Sequence, residues 1–340
     1  MTLISRRGLL CSSLALAACK YSRQILEISG FSMGTTYNVV VVDHDNKFER
    51  SELKEAVELA LADVNGKLSN WAAGSEISRF NMAPDQGATK MSSTLSRVMQ
   101  TAEHVNVASQ GRFDTTIGPL IELWGFGANG SFENMPEPDA VARALEVSGH
   151  GNSLSLTGDS IAKRKETAQI YLSGIGKGYG ADHIGDALAQ MGVSDFMVEI
   201  GGDLFAAGRN PDGVPWQIGI ETPNPADRSV IDVVGLSGAG LATSGDYRNY
   251  HEIDGRRFSH LIDPTTGYPV AHTTASATVL AETAALADSW STAMLILGRE
   301  QGLEIASEHG IAVQFIERDV VDGKASFVTS KSQMFQALTA

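Results

Sequence analysis

Two kinds of segment follow one another along this 340-residue chain, and their order limits the fold more than any single motif. Tyr37–Val42, Phe196–Ile200, Trp216–Ile220, Val230–Val234, Ala275–Leu280 and Ala312–Ile316 are short, apolar and rich in β-branched residues, so they read as strands. Helical periodicity lies between them. Behind Ser51, read as a cap, Leu53, Val57, Ala60, Leu61, Val64 and Leu68 form one apolar face. Leu95, Val98, Met99, Ala102 and Val105 do the same over 93–109, with Gly111 past the end. Further helices are expected from Ile175 to Gly192, over Ala284–Leu297 and over Glu300–Ser307, and a loop over 125–138. Strands and helices mix without strict βαβ alternation. The expected class is therefore α+β rather than a doubly wound parallel sheet, with two lobes sharing one site.

Residues 1–18 read as an export signal. Arg6-Arg7 precede an apolar run, Gly8–Ala18, that is too short to span a bilayer comfortably. Ser5-Arg6-Arg7-Gly8-Leu9-Leu10 resembles a twin-arginine signal, and general secretory export is equally compatible with it. Leu16-Ala17-Ala18-Cys19 resembles a bacterial lipobox, which would make Cys19 the lipidated mature N-terminus. Residues 19–30 read as a tether and 31–340 as the folded body. The only cysteines are Cys11 and Cys19, so the body has no disulfide, no thiolate metal site and no cysteine nucleophile. Without residues 1–18 the chain carries 24 Lys and Arg against 40 Asp and Glu, a formal charge of −16. That balance, with no basic stripe, argues against a nucleic-acid partner. An anionic ligand would need local positive charge, a helix N-terminus or a divalent cation.

The densest chemistry lies between Ala242 and Thr292. Gly174-Ile175-Gly176-Lys177-Gly178-Tyr179-Gly180 adds a glycine-rich helix start. Gly178 stands where a Walker loop needs Ser or Thr, and the glycine spacing fails the dinucleotide fingerprint. Two readings remain: a phosphate held by N–H groups and Lys177, or tight packing of a glycine-rich helix. Asp288 and Thr292, four residues apart, share a helix face. They suit a hard cation such as Mg²⁺, or are a solvated face. His260, before the turn Asp263-Pro264-Thr265-Thr266-Gly267, is structural or catalytic on equal grounds. Trp71 stacks on a flat ring or belongs to the core.

Taken in order, these segments resemble the bacterial ApbE family, the Mg²⁺-dependent FAD:protein FMN transferases. The resemblance runs from about Gly30 to Gly310. It rests on Met33-Gly34-Thr35-Thr36-Tyr37, Ser75-Glu76-Ile77-Ser78-Arg79-Phe80-Asn81, Phe113-Asp114, Gly118-Pro119-Leu120 and Leu123-Trp124-Gly125-Phe126. Leu172-Ser173-Gly174-Ile175-Gly176-Lys177-Gly178-Tyr179, Val198-Glu199-Ile200-Gly201-Gly202-Asp203 and the 242–292 region complete it.

The resemblance implies a two-lobed α+β fold with FAD in the cleft. It implies transfer of FMN from FAD to a Thr hydroxyl of a partner protein, with AMP released. Met33, Trp71, Arg112, Phe113, Asp114, Lys177 and Leu261 would touch the flavin nucleotide. The Gly174 carbonyl, Asp288 and Thr292 would bind Mg²⁺, and His260 would lie beside the pyrophosphate. His260 or Asp288 would take the Thr proton. The implied partner is a membrane-associated electron-transfer subunit, on the periplasmic side of the inner membrane. Three positions depart from the family pattern. Tyr171 stands where many members have Asp, Gly174 where Ala is usual, and Trp71 where Tyr is common. An FAD pyrophosphatase giving FMN and AMP, and a lipoprotein that only binds FAD, are the competing readings. The Asp288/Thr292 pair favours chemistry over storage, and bulky Trp71 favours transfer over hydrolysis.

Overall fold

The computed structural model describes residues 23–84, 87–127, 132, 134–224, 229–247, 249–253, 256–321 and 324–339. The expected export signal, residues 1–18, and Cys19 lie outside them. Among the described residues the chain opens with β1 (Gln24–Ser32), β2 (Thr35–Asp43), α1 (Arg50–Leu68), α2 (Glu76–Met82), β3 (Thr89–Lys90) and α3 (Ser93–Ala108). Next come α4 (Gly118–Leu123), α5 (Pro138–Glu146), α6 (His150–Ser153), β4 (Leu154–Thr157) and β5 (Ser160–Lys163). The middle holds α7 (Gly176–Gln190), β6 (Phe196–Ile200), β7 (Asp203–Ala207), β8 (Trp216–Glu221), β9 (Val230–Leu236) and β10 (Ala239–Gly245). The chain ends with β11 (Tyr250–Ile253), β12 (Arg256–Ser259), β13 (Thr274–Ala281), α8 (Ala284–His309), β14 (Ala312–Val321), β15 (Lys324–Lys331) and α9 (Gln333–Thr339).

One antiparallel sheet organises the molecule, in the order β1-β2-β6-β7-β10-β13-β14-β15. Helices α1 and α7 bury their apolar faces on its β1-β2-β6 half. Helices α3 and α8 build the core over the other half. The β8–β9 ribbon and Phe335 of α9 cover the opposite face. A smaller, separate cluster, Leu120, Trp124, Val141, Phe258 and Ile262, packs around α4, α5 and β12. The α+β class is thus the observed one.

All six residues of the expected apolar face of α1 are buried. Ser51 is not its cap: Glu49 occupies that position and makes no side-chain cap bond. A cap is worth about 1 kcal/mol, and each buried Leu or Val roughly 1.5–3 kcal/mol, so burial alone holds the helix. The two helices expected over Ala284–Leu297 and Glu300–Ser307 are both present within α8, separated by a kink at Gly298, whose φ of 73° and ψ of 173° are not helical. The tether expected over 19–30 is corrected from residue 24 onward. Those residues are β1, paired with β2 from Gln24↔Asp43 to Ser32↔Thr35. Glu27, Ser29 and Gly30 interrupt its apolar run, but Leu26 and Ile28 alternate inward and are buried.

Candidate active site

Of the two readings of the glycine-rich segment, tight packing is the one observed. Helix α7 begins at Gly176, so Lys177 sits in its first turn. Gly178 lets α7 approach α8, since a Cβ there would lie 2.2 Å from the carbonyl oxygen of Ala284. This close approach brings three charged side chains together. Lys177 Nζ is 2.5 Å from Asp203 Oδ2 and 3.8 Å from Asp288 Oδ2. The backbone N–H of Gly178 donates to Asp288 Oδ2 at 3.1 Å. Asp203 enters from the start of β7, behind the turn Gly201-Gly202 with φ of 58° and 98°. Both carboxylates are almost fully buried.

Two buried carboxylates share one ammonium, which can balance only one of them when both are ionised. Burial favours the neutral amine of Lys177, but Asp203 and Asp288 more than reverse this and hold it as an ammonium. Burial and the like charge of Asp288 push Asp203 up to about 8 against the pull of Lys177. Such a site favours a bound cation. The other oxygens present suit a hard one. Thr292 Oγ1 lies 3.3 Å from Ser244 Oγ, and a Cβ on Gly174 would sit 3.0 Å from Thr292 Oγ1. Gly174, Asp288 and Thr292 line one cavity. Among the described residues no group of three or more His, Cys, Asp or Glu is placed to hold a metal. A cation here would keep neutral oxygens, water and ligand phosphate around it, as Mg²⁺ does. The residues fit such an ion.

This first cavity, of about 290 Å³, is lined also by Arg112, Phe113, Asp114, Lys177, His260 and Leu261. His260 Nδ1 lies 2.9 Å from the carbonyl oxygen of Asn249, which only accepts. That contact assigns the proton to Nδ1 and leaves Nε2 as a free lone pair. Burial pulls the imidazole below its usual value, so it is neutral at pH 7. Arg112 is paired with Asp263 at 2.6 Å, and Asp114 Oδ1 accepts from Thr116 N and Oγ1 at 2.7 and 2.6 Å. These two residues therefore shape the wall through protein partners as well as facing the cavity. Phe113 and Leu261 are core residues whose edges reach it.

Met33 and Trp71 lie elsewhere. They line a second, more apolar cavity of about 570 Å³, with Val64, Leu68 and Leu172. Lys177 and Ser173 border both cavities. The residues expected to touch one nucleotide are thus divided between two adjoining compartments. Trp71 is 62% exposed, so it is not core. Its ring meets Tyr171 edge-on at 6.3 Å, and the Tyr171 hydroxyl donates to Glu122 Oε1.

Residue types alone assign no role to Asp203 or to the His150–Glu103 pair behind Thr115, of which only His150 is buried. His150 Nδ1 is 2.7 Å from Glu103 Oε2, and Nε2 accepts from Thr115 N at 3.2 Å. The signals for Asp203 are its place after a Gly-Gly turn and its membership of the Val198–Asp203 segment that carries the resemblance. Nothing local marks Glu103 and His150, which are 47 residues apart.

The α+β fold matches that of solved flavin transferases. A solved flavin transferase ApbE from Vibrio cholerae superposes with a TM-score of 0.84 at 34% identity, over 93% of this chain and 99% of that one. The apo flavinyl transferase ApbE of Pseudomonas stutzeri gives 0.84 at 36%, over 93% and 97%. The ApbE family model matches residues 33–315. The FAD:protein FMN transferase of Haemophilus influenzae is 40% identical over 96% of this chain and 95% of its own length. The chain belongs to the ApbE family.

Proposed function

We propose that this chain is an FAD:protein FMN transferase that uses Mg²⁺, moves FMN from FAD to a Thr hydroxyl of a partner protein, and releases AMP. The observation that carries this reading is the pair of cavities sharing Lys177 and Ser173. FAD has a flat ring at each end, the flavin and the adenine, and a charged diphosphate in the middle. The apolar compartment with Trp71 suits a flat ring, and the compartment with His260, Asp288 and Thr292 suits the diphosphate.

In this reading the Thr oxygen forms a bond to the FMN phosphorus, and the bond from that phosphorus to the AMP oxygen breaks. His260 Nε2 takes the Thr proton, because its lone pair is free and its neighbour Asn249 fixes the tautomer. Asp288 is the weaker candidate for this role, since its Oδ2 already accepts from Gly178. Lys177, held by two carboxylates, keeps the floor of the site rigid and charged. A Mg²⁺ ion held by Asp288, Thr292 and the Gly174 carbonyl would neutralise the diphosphate as charge develops. Trp71, at the open edge of the apolar compartment, screens the phosphorus from bulk water.

The test is an incubation with FAD, Mg²⁺ and a Thr-containing acceptor protein. The acceptor mass should rise by one FMN less water, with AMP in equal amount, and AMP release should be slow without acceptor. Rapid FMN and AMP without acceptor would make the protein a pyrophosphatase. FAD binding with neither product would make it a carrier.

The expected acceptor is a membrane-associated electron-transfer subunit, met at the periplasmic face of the inner membrane. No helix among the described residues is long and apolar enough to cross a membrane. A lipid on Cys19 would supply the attachment instead. Mass spectrometry of membrane-derived protein should find a diacylglyceryl mass at Cys19; an unmodified Met1 would overturn this part.

A further inference from the structure

We infer that Asp182 is a positioning residue: it ties the helix bearing Lys177 to the helix bearing Asp288 and Thr292, and so sets the geometry between them. Asp182 lines neither cavity. It stands on α7 four residues after Gly178, on the same face. Its Oδ1 accepts from Ala284 N at 2.7 Å and its Oδ2 from Ala285 N at 2.8 Å.

Those are the first two residues of α8, whose opening N–H groups have no partner within the helix. The next two are satisfied locally, Leu286 N by Thr283 Oγ1 at 3.2 Å and Ala287 N by the Thr283 carbonyl at 3.0 Å. Helix α8 therefore starts with two bonds of its own and two borrowed from α7. The same turn is wedged between glycines. A Cβ on Gly178 would lie 2.2 Å from Ala284 O, and one on Gly240 2.3 Å from Ala284 N. The wedge sets how closely α8 can approach, and Asp182 supplies directional bonds that fix its tilt and register. Asp288 follows Ala284 by one turn, so a shift of that turn moves its carboxylate against Lys177 Nζ and Gly178 N. Sites of this kind lose activity on displacements of about 1 Å.

The inference rests on the proposed roles of Asp288 and Thr292, and its test compares three full-length proteins: wild type, Asp182→Asn and Thr283→Ala. Asn offers one acceptor where two N–H groups need two. Thr283→Ala removes a cap from the same helix without touching α7. The readouts are kcat and KM for FAD, binding of Mn²⁺ followed by the loss of its free electron-spin signal, and Tm. Asp182→Asn should lower kcat and weaken Mn²⁺ binding by roughly ten- to a hundredfold each, as second-layer changes do, with KM for FAD nearly unchanged. Thr283→Ala should lower Tm while keeping kcat and Mn²⁺ affinity. Wild-type kcat and Mn²⁺ affinity in Asp182→Asn, with only Tm reduced, would overturn the inference. If Asp182→Asn is not recovered folded, Asp182→Glu carries the test. It keeps charge and acceptors but pushes α8 outward by one methylene, and unchanged kcat and Mn²⁺ affinity would again overturn it. A wild-type protein that transfers FMN but binds no Mn²⁺ would refute the metal reading instead, and the kcat comparison then decides Asp182.

Discussion

The two cavities share Lys177 and Ser173 yet are made in opposite ways. The charged one is assembled across the sheet. Lys177 comes from α7, Asp203 from β7, Asp288 and Thr292 from α8, and Gly174 from the segment before α7. Asp203 and Asp288 are buried and paired with the half-buried Lys177, so these three hold one another in place. The apolar one is assembled at an edge, from the turn at Met33-Gly34, the end of α1 and the exposed Trp71. Rigid, buried charge acts on rate, because it is already oriented when charge develops. An exposed ring acts on affinity and on access of water. The same substrate would thus be held by one compartment and activated by the other.

The largest effect that would break this division is at Asp288. Asp288→Ala should lower turnover on the order of a thousandfold, a barrier of several kcal/mol, while FAD binding, followed by flavin fluorescence, stays within a few-fold of wild type. Turnover at the wild-type rate with no added divalent ion would remove the metal from the charged compartment.

The next effect is at His260, and pH resolves it. Burial lowers its pKa below the ordinary 6.5. The neutral, proton-accepting form is therefore present above that lowered value and lost as pH falls through it. The acid limb of kcat/KM should lie below pH 6.5, with a plateau at neutral pH. His260→Gln should cost about a hundredfold and abolish that limb. A limb that persists in His260→Gln assigns the proton to another group.

How much of this was legible beforehand depends on sequence distance. The faces of α1 and α3 were readable because their buried residues repeat at helical spacing. Strand β10 was not. Its Ala239–Gly245 sequence has low strand propensity, and its small residues are there because α8 packs directly on it at Gly240. Strand β1 was taken for a tether because one polar face hides a two-residue alternation. Lys177, His260, Asp288 and Thr292 stand out by residue type and spacing and gather around one cavity, to which the resemblance adds Gly174. The resemblance could not supply the division into two compartments. That depends on where the β1–β2 turn lies against α1, a tertiary fact. Nor could it give the partner of Lys177, since Asp203 lies 26 residues on, across the rest of α7, a connection, β6 and a turn.

The smallest effect sharpens the comparison from the apolar side. Trp71 is largely exposed and touches Tyr171 only by an edge, so its removal leaves no cavity in a core. Trp71→Ala should therefore leave Tm nearly unchanged. A stacked ring contributes about 0.5–1.5 kcal/mol beyond its area, so FAD affinity should fall by up to roughly tenfold. The rate per bound FAD should fall much less than in Asp288→Ala, because the charged compartment is untouched. The product ratio is the sharper measure. With the ring gone, water reaches the phosphorus more easily, so free FMN should rise relative to modified acceptor. Measuring both products in one reaction separates this from a loss of binding, which lowers them together. A ratio that stays fixed, or moves toward transfer, would leave Trp71 a binding residue only and return the exclusion of water to the docked acceptor.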